Sequence, residues 1–349
     1  MQITRIASAE HEEVIRVEET ATGLLGFIAI HSTALGPAAG GLRMRVYGDE
    51  RAALDDVLRL SRGMTFKNAA AGLPLGGGKA VIVGDPAAKT PGMLRAFGRA
   101  IDGLAGRYWT AEDMGMAPED MAVIRGVTPY VAGLADGPYA SGDPSPVTAR
   151  GIFQSIRTTA KHRFGSAVLT GRVVAVQGLG HVGWELAKLL RAGGAELIVA
   201  DMDAMRAAQA GQCFGARVVA PDEILRVEAD ILAPCAIGGI LNAATIPGLK
   251  VGAVCGGANN QLATAEDGAA LRARGILYAP DYVVNAGGII NVATEILRIA
   301  DRRAFVSEKL ATLDATLDAI LSEAARRGTG PETVADAIVA ERIRTPDAA

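Results

Sequence analysis

Residues Gly23 to Ser32 form a β-rich run, Leu24-Leu-Gly-Phe-Ile-Ala-Ile30, and Gly41-Leu-Arg-Met-Arg-Val-Tyr47 alternates apolar and polar positions as a half-buried strand does. Between them lies the glycine-proline turn Leu35-Gly-Pro-Ala-Ala-Gly-Gly41. From Asp49 to about Ala71 the period lengthens. Leu54, Val57, Leu58 and Ser61 to Met64 then share a repeating face, which predicts a helix. A Pro/Gly turn and a short strand, Ala80-Val-Ile-Val83, are expected next. The strand Arg107-Tyr-Trp-Thr110 leads into Ala111-Glu-Asp-Met114, so an acidic residue stands at a strand's C-terminal edge, where α/β sheets place ligands.

Around Asp136 to Pro146 the composition shifts to Gly, Pro, Ser and Asp, the mark of an inter-domain connection and a candidate hinge. A helix is predicted from Val147 to about His162. Apolar strands at Val173 to Gln177, Leu197 to Ala200, Ile231 to Ala233 and Val251 to Cys255 then alternate with amphipathic helices, the rhythm of a parallel, doubly wound sheet. Asp301 to Arg327 and Pro331 to Ile343 read as helices broken at Gly328-Thr-Gly-Pro331. The expected fold class is α/β with two domains, residues 1–135 and 136–327, the first joined by the C-terminal helix of 328–349.

At 349 residues, 50% hydrophobic and 21% charged, the chain has material for two compact domains. A net charge of -3 gives no support to nucleic-acid or membrane-surface binding. Cys213, Cys235 and Cys255 are odd in number, unpaired by motif and set in or beside apolar runs, so reduced, mostly buried thiols are expected. The four histidines carry no metal-ligand spacing. The polar start Met1-Gln-Ile-Thr-Arg-Ile-Ala-Ser8 and the lack of a membrane-length apolar run make a cytoplasmic protein the expectation.

Chemistry concentrates in Met64-Thr-Phe-Lys-Asn-Ala-Ala-Ala-Gly-Leu-Pro-Leu-Gly-Gly-Gly-Lys79, with two lysines in an apolar setting. The three glycines before Lys79 are expected to form a turn that lets amides and an ammonium approach a small anion, a carboxylate above all. A phosphate-binding P-loop is excluded. The spacing from Gly72 to Gly78 is one residue too long, Ala80 stands where a hydroxyl is needed, and the order is helix, turn, strand. A lysine works near neutral pH only where desolvation or a neighbouring cation lowers its pKa to about 7 to 8. The glycine turn and apolar flanks would desolvate Lys79.

Gly178-Leu-Gly180-His-Val-Gly183 follows the strand Val173-Val-Ala-Val176, opens a helix from Val182, and precedes a second strand ending at Asp201. That context suits a dinucleotide loop. Glycines admit a pyrophosphate to the backbone, and the helix start at His181 and Val182 supplies free N–H groups. Asp201 would accept from a ribose 2′-hydroxyl and repel a 2′-phosphate, favouring NAD over NADP.

With these stretches go Leu35-Gly-Pro-Ala-Ala-Gly-Gly-Leu-Arg43, Leu60-Ser-Arg-Gly-Met-Thr-Phe-Lys67, Thr110-Ala-Glu-Asp113, Pro144-Ser-Pro-Val-Thr148, Ala233-Pro-Cys-Ala236, Gly257-Ala-Asn-Asn-Gln-Leu262 and Tyr278-Ala-Pro-Asp-Tyr-Val-Val-Asn-Ala-Gly-Gly288. Together they closely resemble the Glu/Leu/Phe/Val amino acid dehydrogenase family, most of all its leucine, valine and phenylalanine branch, from about Thr22 to Arg327. The resemblance implies an N-terminal α/β substrate and oligomerisation domain and a Rossmann-type domain, with an active-site cleft between them. It implies NAD-dependent, reversible oxidative deamination of an L-amino acid to its 2-oxo acid and ammonium, by a homo-oligomer. Lys67 would bind the substrate carboxylate, Lys79 the hydrolytic water or carbonyl oxygen, and Asp113 would transfer protons near the amine. Thr148, Cys235, Ala236, Asn259, Asn260 and Asn285 would border the cofactor. The division of labour between Asn259 and Asn260 stays open.

The family's glutamate branch has a lysine where this chain has Ala39. Ala39, Gly40, Met64, Ala111, Val147, Ile289 and Val292 would instead give an apolar pocket, in which an unpaired glutamate carboxylate would cost several kcal/mol (order of magnitude). Ile289 and Val292 match the leucine branch and favour branched-chain substrates. Leucine-selective relatives carry leucine at the Ala39 position, so valine, isoleucine and phenylalanine stay open. A hydroxy-acid dehydrogenase and a non-catalytic NAD-binding module are the competing readings.

Overall fold

The computed structural model describes residues 1–137 and 139–344. It divides into two compact units, the first comprising Met1–Pro144, Ile289–Ser307 and the chain from Ala340, the second Ser145–Gly288 and Glu308–Val339.

The first unit contains β1 (Gln2–Arg5), β2 (Glu13–Glu19), β3 (Leu24–Ser32), β4 (Ala38–Ala39), β5 (Leu42–Arg45), α1 (Glu50–Ala70), β6 (Gly76–Val83), α2 (Pro91–Asp102), β7 (Tyr108–Trp109) and α3 (Pro118–Arg125). Its sheet runs β1-β2-β3-β6-β4-β7, with β5 also on β6. β3 pairs antiparallel with β6, while β4 and β5 run parallel to it. The break at Gly40 and Gly41, between β4 and β5, falls beside Gly78 and Lys79. One apolar core, built around Phe97 and Tyr108, joins the sheet to α2 and α3. A smaller one lies under α1.

Helix α1 begins where the Asp49 side chain accepts the Ala52 N–H at 2.8 Å, and Lys67 stands in its last turn, where a cation suits the helix dipole. Its buried face carries the small residues Ala53, Val57, Ser61 and Thr65. The reason lies in β6. A Cβ on Gly77 would sit 2.1 Å from the Thr65 backbone nitrogen, and one on Gly78 would meet the Tyr108 ring at 2.6 Å. These glycines are therefore strand residues and not a ligand-cradling turn. The strand is eight residues long rather than the four expected, because close packing against α1 and Tyr108 requires glycine despite its poor strand propensity. The turn itself is Ala71 to Leu75, with Gly72 at φ 62.

The second unit holds α4 (Ser145–Phe164), β8 (Val173–Gln177), α5 (His181–Ala192), β9 (Glu196–Ala200), α6 (Ala204–Phe214), β10 (Arg217–Val218), β11 (Ile231–Pro234), β12 (Ala253–Val254), α7 (Glu266–Ala273), β13 (Leu277–Tyr278) and α8 (Asp281–Val284). Every strand pair is parallel, in the order β10-β9-β8-β11-β12-β13. Numbered within this sheet the order is 3-2-1-4-5-6, the doubly wound Rossmann arrangement, whose switch point lies between β8 and β11.

Three helices complete the chain: α9 (Gly287–Ile296), α10 (Arg302–Arg327) and α11 (Pro331–Arg344). The first unit runs on to Pro144 rather than to 135, and it takes in 289–307. Side-chain clamps explain why. Glu295 Oε2 accepts the N–H groups of Gly133, Leu134 and Ser141 at 2.8, 3.3 and 3.2 Å, and Asn291 and Arg302 donate to the Ser141 carbonyl. Of the expected C-terminal extension 328–349, residues up to Val339 group with the second unit; 345–349, like Pro138 in the expected hinge, lie outside the described residues. Arg342 donates to the carbonyls of Ala69 and Ala70, capping α1. Among the described residues no helix is long and apolar enough to cross a membrane.

Candidate active site

Residues paired across neighbouring strands point to the same face. Ala39 pairs with Gly77, whose Cβ direction faces Thr65 of α1, and Lys79 follows two residues later, so Ala39 and Lys79 share the α1 face. The Lys79 side chain is 8% exposed, and its Nζ meets Asp113 Oδ2 at 2.6 Å. Asp113 is carried on the segment after β7, which runs along β5 through bonds from Leu42 N to Ala111 O and from Met44 N to Met114 O. A Cβ on Gly41 would stand 2.8 Å from Asp113 Cβ, so glycine there lets the carboxylate approach β6.

The same Oδ2 receives Arg43 Nε at 3.3 Å. Burial pushes the Asp113 carboxyl up, but the Lys79 ammonium and the Arg43 guanidinium outweigh it and hold the group down at about 2. Asp113 is thus an ionised carboxylate in contact with a buried ammonium.

Lys67 is half-buried in the last turn of α1. Thr65, two residues before it, packs against Gly77, which places this last part of α1 on the strand that carries Lys79. Gly40 faces Met64, whose Cγ would be 2.9 Å from a Cβ there, and Ala111 lies beside Gly133. The Gly40 carbonyl accepts from the buried Tyr108 hydroxyl at 2.7 Å. Ile289 and Val292, one turn apart on α9, belong to this first unit as well. Val147 does not: it lies in the first turn of α4, in the second unit.

The dinucleotide candidates all lie in the second unit. Gly178 has φ 89, and a Cβ there would strike Ala236 Cβ at 2.7 Å; one on Gly183 would strike the Gly178 carbonyl at 2.0 Å. Gly180, the N-cap of α5, has open space where its Cβ would be. Two glycines close the turn while the middle one leaves the helix start approachable, with His181 exposed and Val182 half-buried behind it. Asp201 Oδ2 accepts the Leu179 N–H at 2.6 Å and Oδ1 the Asp203 N–H at 2.8 Å, which fixes the carboxylate beside the loop with lone pairs to spare.

Asn285 donates to Asn259 Oδ1 at 2.8 Å, whereas Asn260 is a turn residue at φ 52 whose carbonyl accepts the Gly239 N–H. The two asparagines are therefore structurally distinct. Thr148 is buried on α4 beneath Gly287, whose Cβ would come within 2.7 Å of its Cα. Among the buried side-chain oxygens of this unit that have no hydrogen-bond partner are Asn285 Oδ1 and Gln177 Oε1. A nicotinamide carboxamide, a donor as well as an acceptor, suits that unmet need. Burial pushes the Cys235 thiol up to about 11, so it stays protonated near neutral pH; of the three cysteines only Cys255 is fully buried, and Cys213 is exposed, against the expectation of mostly buried thiols. Among the described residues no cluster of His, Cys, Asp or Glu could hold a metal.

Arg43, Asp56 and Tyr108 were not singled out from sequence. The alternation of Gly41 to Tyr47 assigns Arg43 to a solvated face, yet its side chain is 11% exposed. The one available signal was its place in the Gly-Gly-Leu-Arg stretch.

Comparison with known proteins covers most of the chain. Residues 11–130 match the model described as Glu/Leu/Phe/Val dehydrogenase, dimerisation domain, and residues 200–346 match Glutamate/Leucine/Phenylalanine/Valine dehydrogenase. The chain is 49% identical over 335 residues to a leucine dehydrogenase of Thermoactinomyces intermedius, covering 96% of this chain and 91% of the relative. A phenylalanine dehydrogenase of Caldalkalibacillus thermarum is 46% identical over 342 residues, covering 96% and 92%. The crystal structure of L-tryptophan dehydrogenase from Nostoc punctiforme superposes with a TM-score of 0.84 at 42% identity, covering 96% of each chain.

Proposed function

The chain belongs to the Glu/Leu/Phe/Val dehydrogenase family, and we propose that it catalyses the reversible, NAD-dependent oxidative deamination of an apolar L-amino acid to its 2-oxo acid and ammonium. The observation that carries this reading is the Lys79–Asp113 contact: a buried ammonium and an ionised carboxylate on one oxygen, on the face that also carries Ala39.

Lys67 holds the substrate carboxylate and Asp113 takes protons released as the amine and then water react. Lys79 steadies the oxygen that develops on Cα when water adds. A proton returned to nitrogen then lets ammonia leave as the carbonyl forms. Gly178, Gly180 and Gly183 would hold the pyrophosphate, Asp201 the adenine ribose, and Asn285, with Thr148 and Asn259 nearby, the nicotinamide end. Bound there, nicotinamide supplies the acceptor for the hydride leaving the substrate Cα. Asp201 supports NAD over NADP because a 2′-phosphate would meet a carboxylate already fixed at the loop.

Branched-chain substrates, leucine first, are favoured by Ile289 and Val292. Ala39 supports phenylalanine as the second reading, since a methyl group there leaves room for a ring; such a difference in side-chain size is worth roughly 1–3 kcal/mol. NADH formation followed by absorbance at alkaline pH, across twenty L-amino acids with NAD and with NADP, tests all of this. Activity on glutamate alone overturns the apolar pocket, and preference for NADP overturns the role of Asp201. Sedimentation tests the proposed homo-oligomer.

A further inference from the structure

Arg43 has a second partner. While its Nε reaches Asp113 Oδ2, its Nη1 donates to Asp56 Oδ2 on α1 at 3.1 Å. Asp56 is itself held from two other sides, by the Tyr47 hydroxyl at 2.8 Å and by Arg59 at 2.7 Å. The result is a line of alternating charge, Lys79, Asp113, Arg43, Asp56 and Arg59, that crosses from β6 over β5 to α1. The side chains of Arg43 and Asp56 are each 11% exposed, so the pair is shielded from the screening that makes surface ion pairs weak.

We propose that Arg43 is a positioning residue of the reaction: braced by Asp56, its guanidinium fixes the Asp113 carboxylate on the Lys79 ammonium. The inference rests on the dehydrogenase reading of the same site. Asp113 sits on an irregular segment after a two-residue strand, which by itself gives a side chain little orientation. Lys79 is a single flexible cation. Beside the Met114 backbone N–H, two side-chain donors on one carboxylate oxygen, one of them anchored at its far end, define the orientation that one side-chain donor leaves loose. The task calls for arginine, since only a planar fork can touch Asp113 with one nitrogen and Asp56 with another. The brace is also separable from the fold. Without Arg43, Asp56 keeps Tyr47 and Arg59, and Asp113 keeps Lys79 and the Met114 N–H.

Steady-state kinetics of R43Q, R43K and D56N, beside the unaltered full-length protein with NAD and its best amino acid, test this. R43Q is expected to lower kcat by about ten- to a hundredfold, the loss that misplacing a proton-transfer group causes, with KM and NAD binding within about twofold. R43K keeps the charge and recovers part of kcat. D56N, which touches neither Asp113 nor Lys79, lowers kcat in the same pattern by less. Loss spread equally over kcat, KM, NAD binding and melting temperature would mean that Arg43 serves only the fold. Should R43Q not fold, D56N decides: kcat unchanged there overturns the proposal. An unaltered protein that oxidises no amino acid sinks the dehydrogenase reading, whereas an active one indifferent to all three substitutions sinks only the role of Arg43.

Discussion

Replacing Lys79 with alanine removes the Nζ that stands 2.6 Å from Asp113 Oδ2. The carboxyl moves from 3.8 to about 2 in the folded protein. At 1.36 kcal/mol per pH unit the surroundings thus stabilise the carboxylate by about 2 kcal/mol. Lys79 is its main support, followed by Arg43, so without the lysine the carboxyl rises from that depressed value. For stability the sign is that of a depressed acid: the contribution is complete above the ordinary value of 3.8 and is lost as pH falls through about 2. At neutral pH the K79A protein therefore forgoes up to about 2 kcal/mol, of which Arg43 retains part.

Turnover should suffer far more. Lysine supplies charge stabilisation, worth roughly 100- to 1,000-fold, while Asp113 stays ionised at the assay pH with or without it. A kcat loss of about 100- to 1,000-fold is expected. NAD binding should be unchanged because every proposed dinucleotide contact lies in the other unit. Single-turnover NADH formation measures the first quantity and calorimetric titration with NAD the second. A K79A protein with near-normal kcat refutes the chemical role; one that loses turnover and NAD binding together shows that the loss was one of folding.

Three further outcomes are expected. Gly180→Ala should fold normally yet weaken NAD binding, since its Cβ enters open space, whereas Gly183→Ala should destabilise the second unit because its Cβ meets the Gly178 carbonyl at 2.0 Å; thermal unfolding and NAD titration separate the two. His31 is lowered from 6.5 to about 4 by burial, with His11 and Arg62 adding to it, so the unfolded chain gains a proton that the folded one refuses and stability falls as pH drops from 6.5 towards 4. Urea unfolding at pH 7 and 5 should show a loss of about 1–2 kcal/mol that disappears in H31Q; an equal loss in both refutes the assignment. Ala39→Leu should reduce phenylalanine turnover relative to leucine by about tenfold or more in competition assays, and an unchanged ratio would place Ala39 outside the side-chain pocket.

The dinucleotide half was legible because its signals are local. Val173 to Gln177 is an apolar run ending in a glycine loop, and Asp201 follows at the distance set by one helix and one strand. Strands β10 and β13 were not, since two residues carry no periodicity. The glycine strand was misread as a turn because glycine's intrinsic preference points that way, while contacts with Thr65 and Tyr108 decide the outcome. Asp113 stood out by its place after a strand, but its meeting with Lys79, and that of Arg43 with Asp56, joins residues on different elements. The Glu295 clamp spans more than 150 residues of sequence, beyond any pattern of neighbours.

The first unit is discontinuous, and that bears on how the protein is made. As the chain leaves the ribosome, the segments bearing Lys79 and Asp113 are made early, but Glu295 and Arg342 arrive only after the second unit's sheet has been synthesised. The nascent first unit must wait with its 133–141 loop unclamped and the last turn of α1 uncapped, a state in which apolar surface and unpaired carbonyls invite chaperones or aggregation. The second unit is discontinuous as well, since Glu308–Val339 follows the Glu295 clamp in the chain, so neither unit is complete until nearly the whole protein has been made.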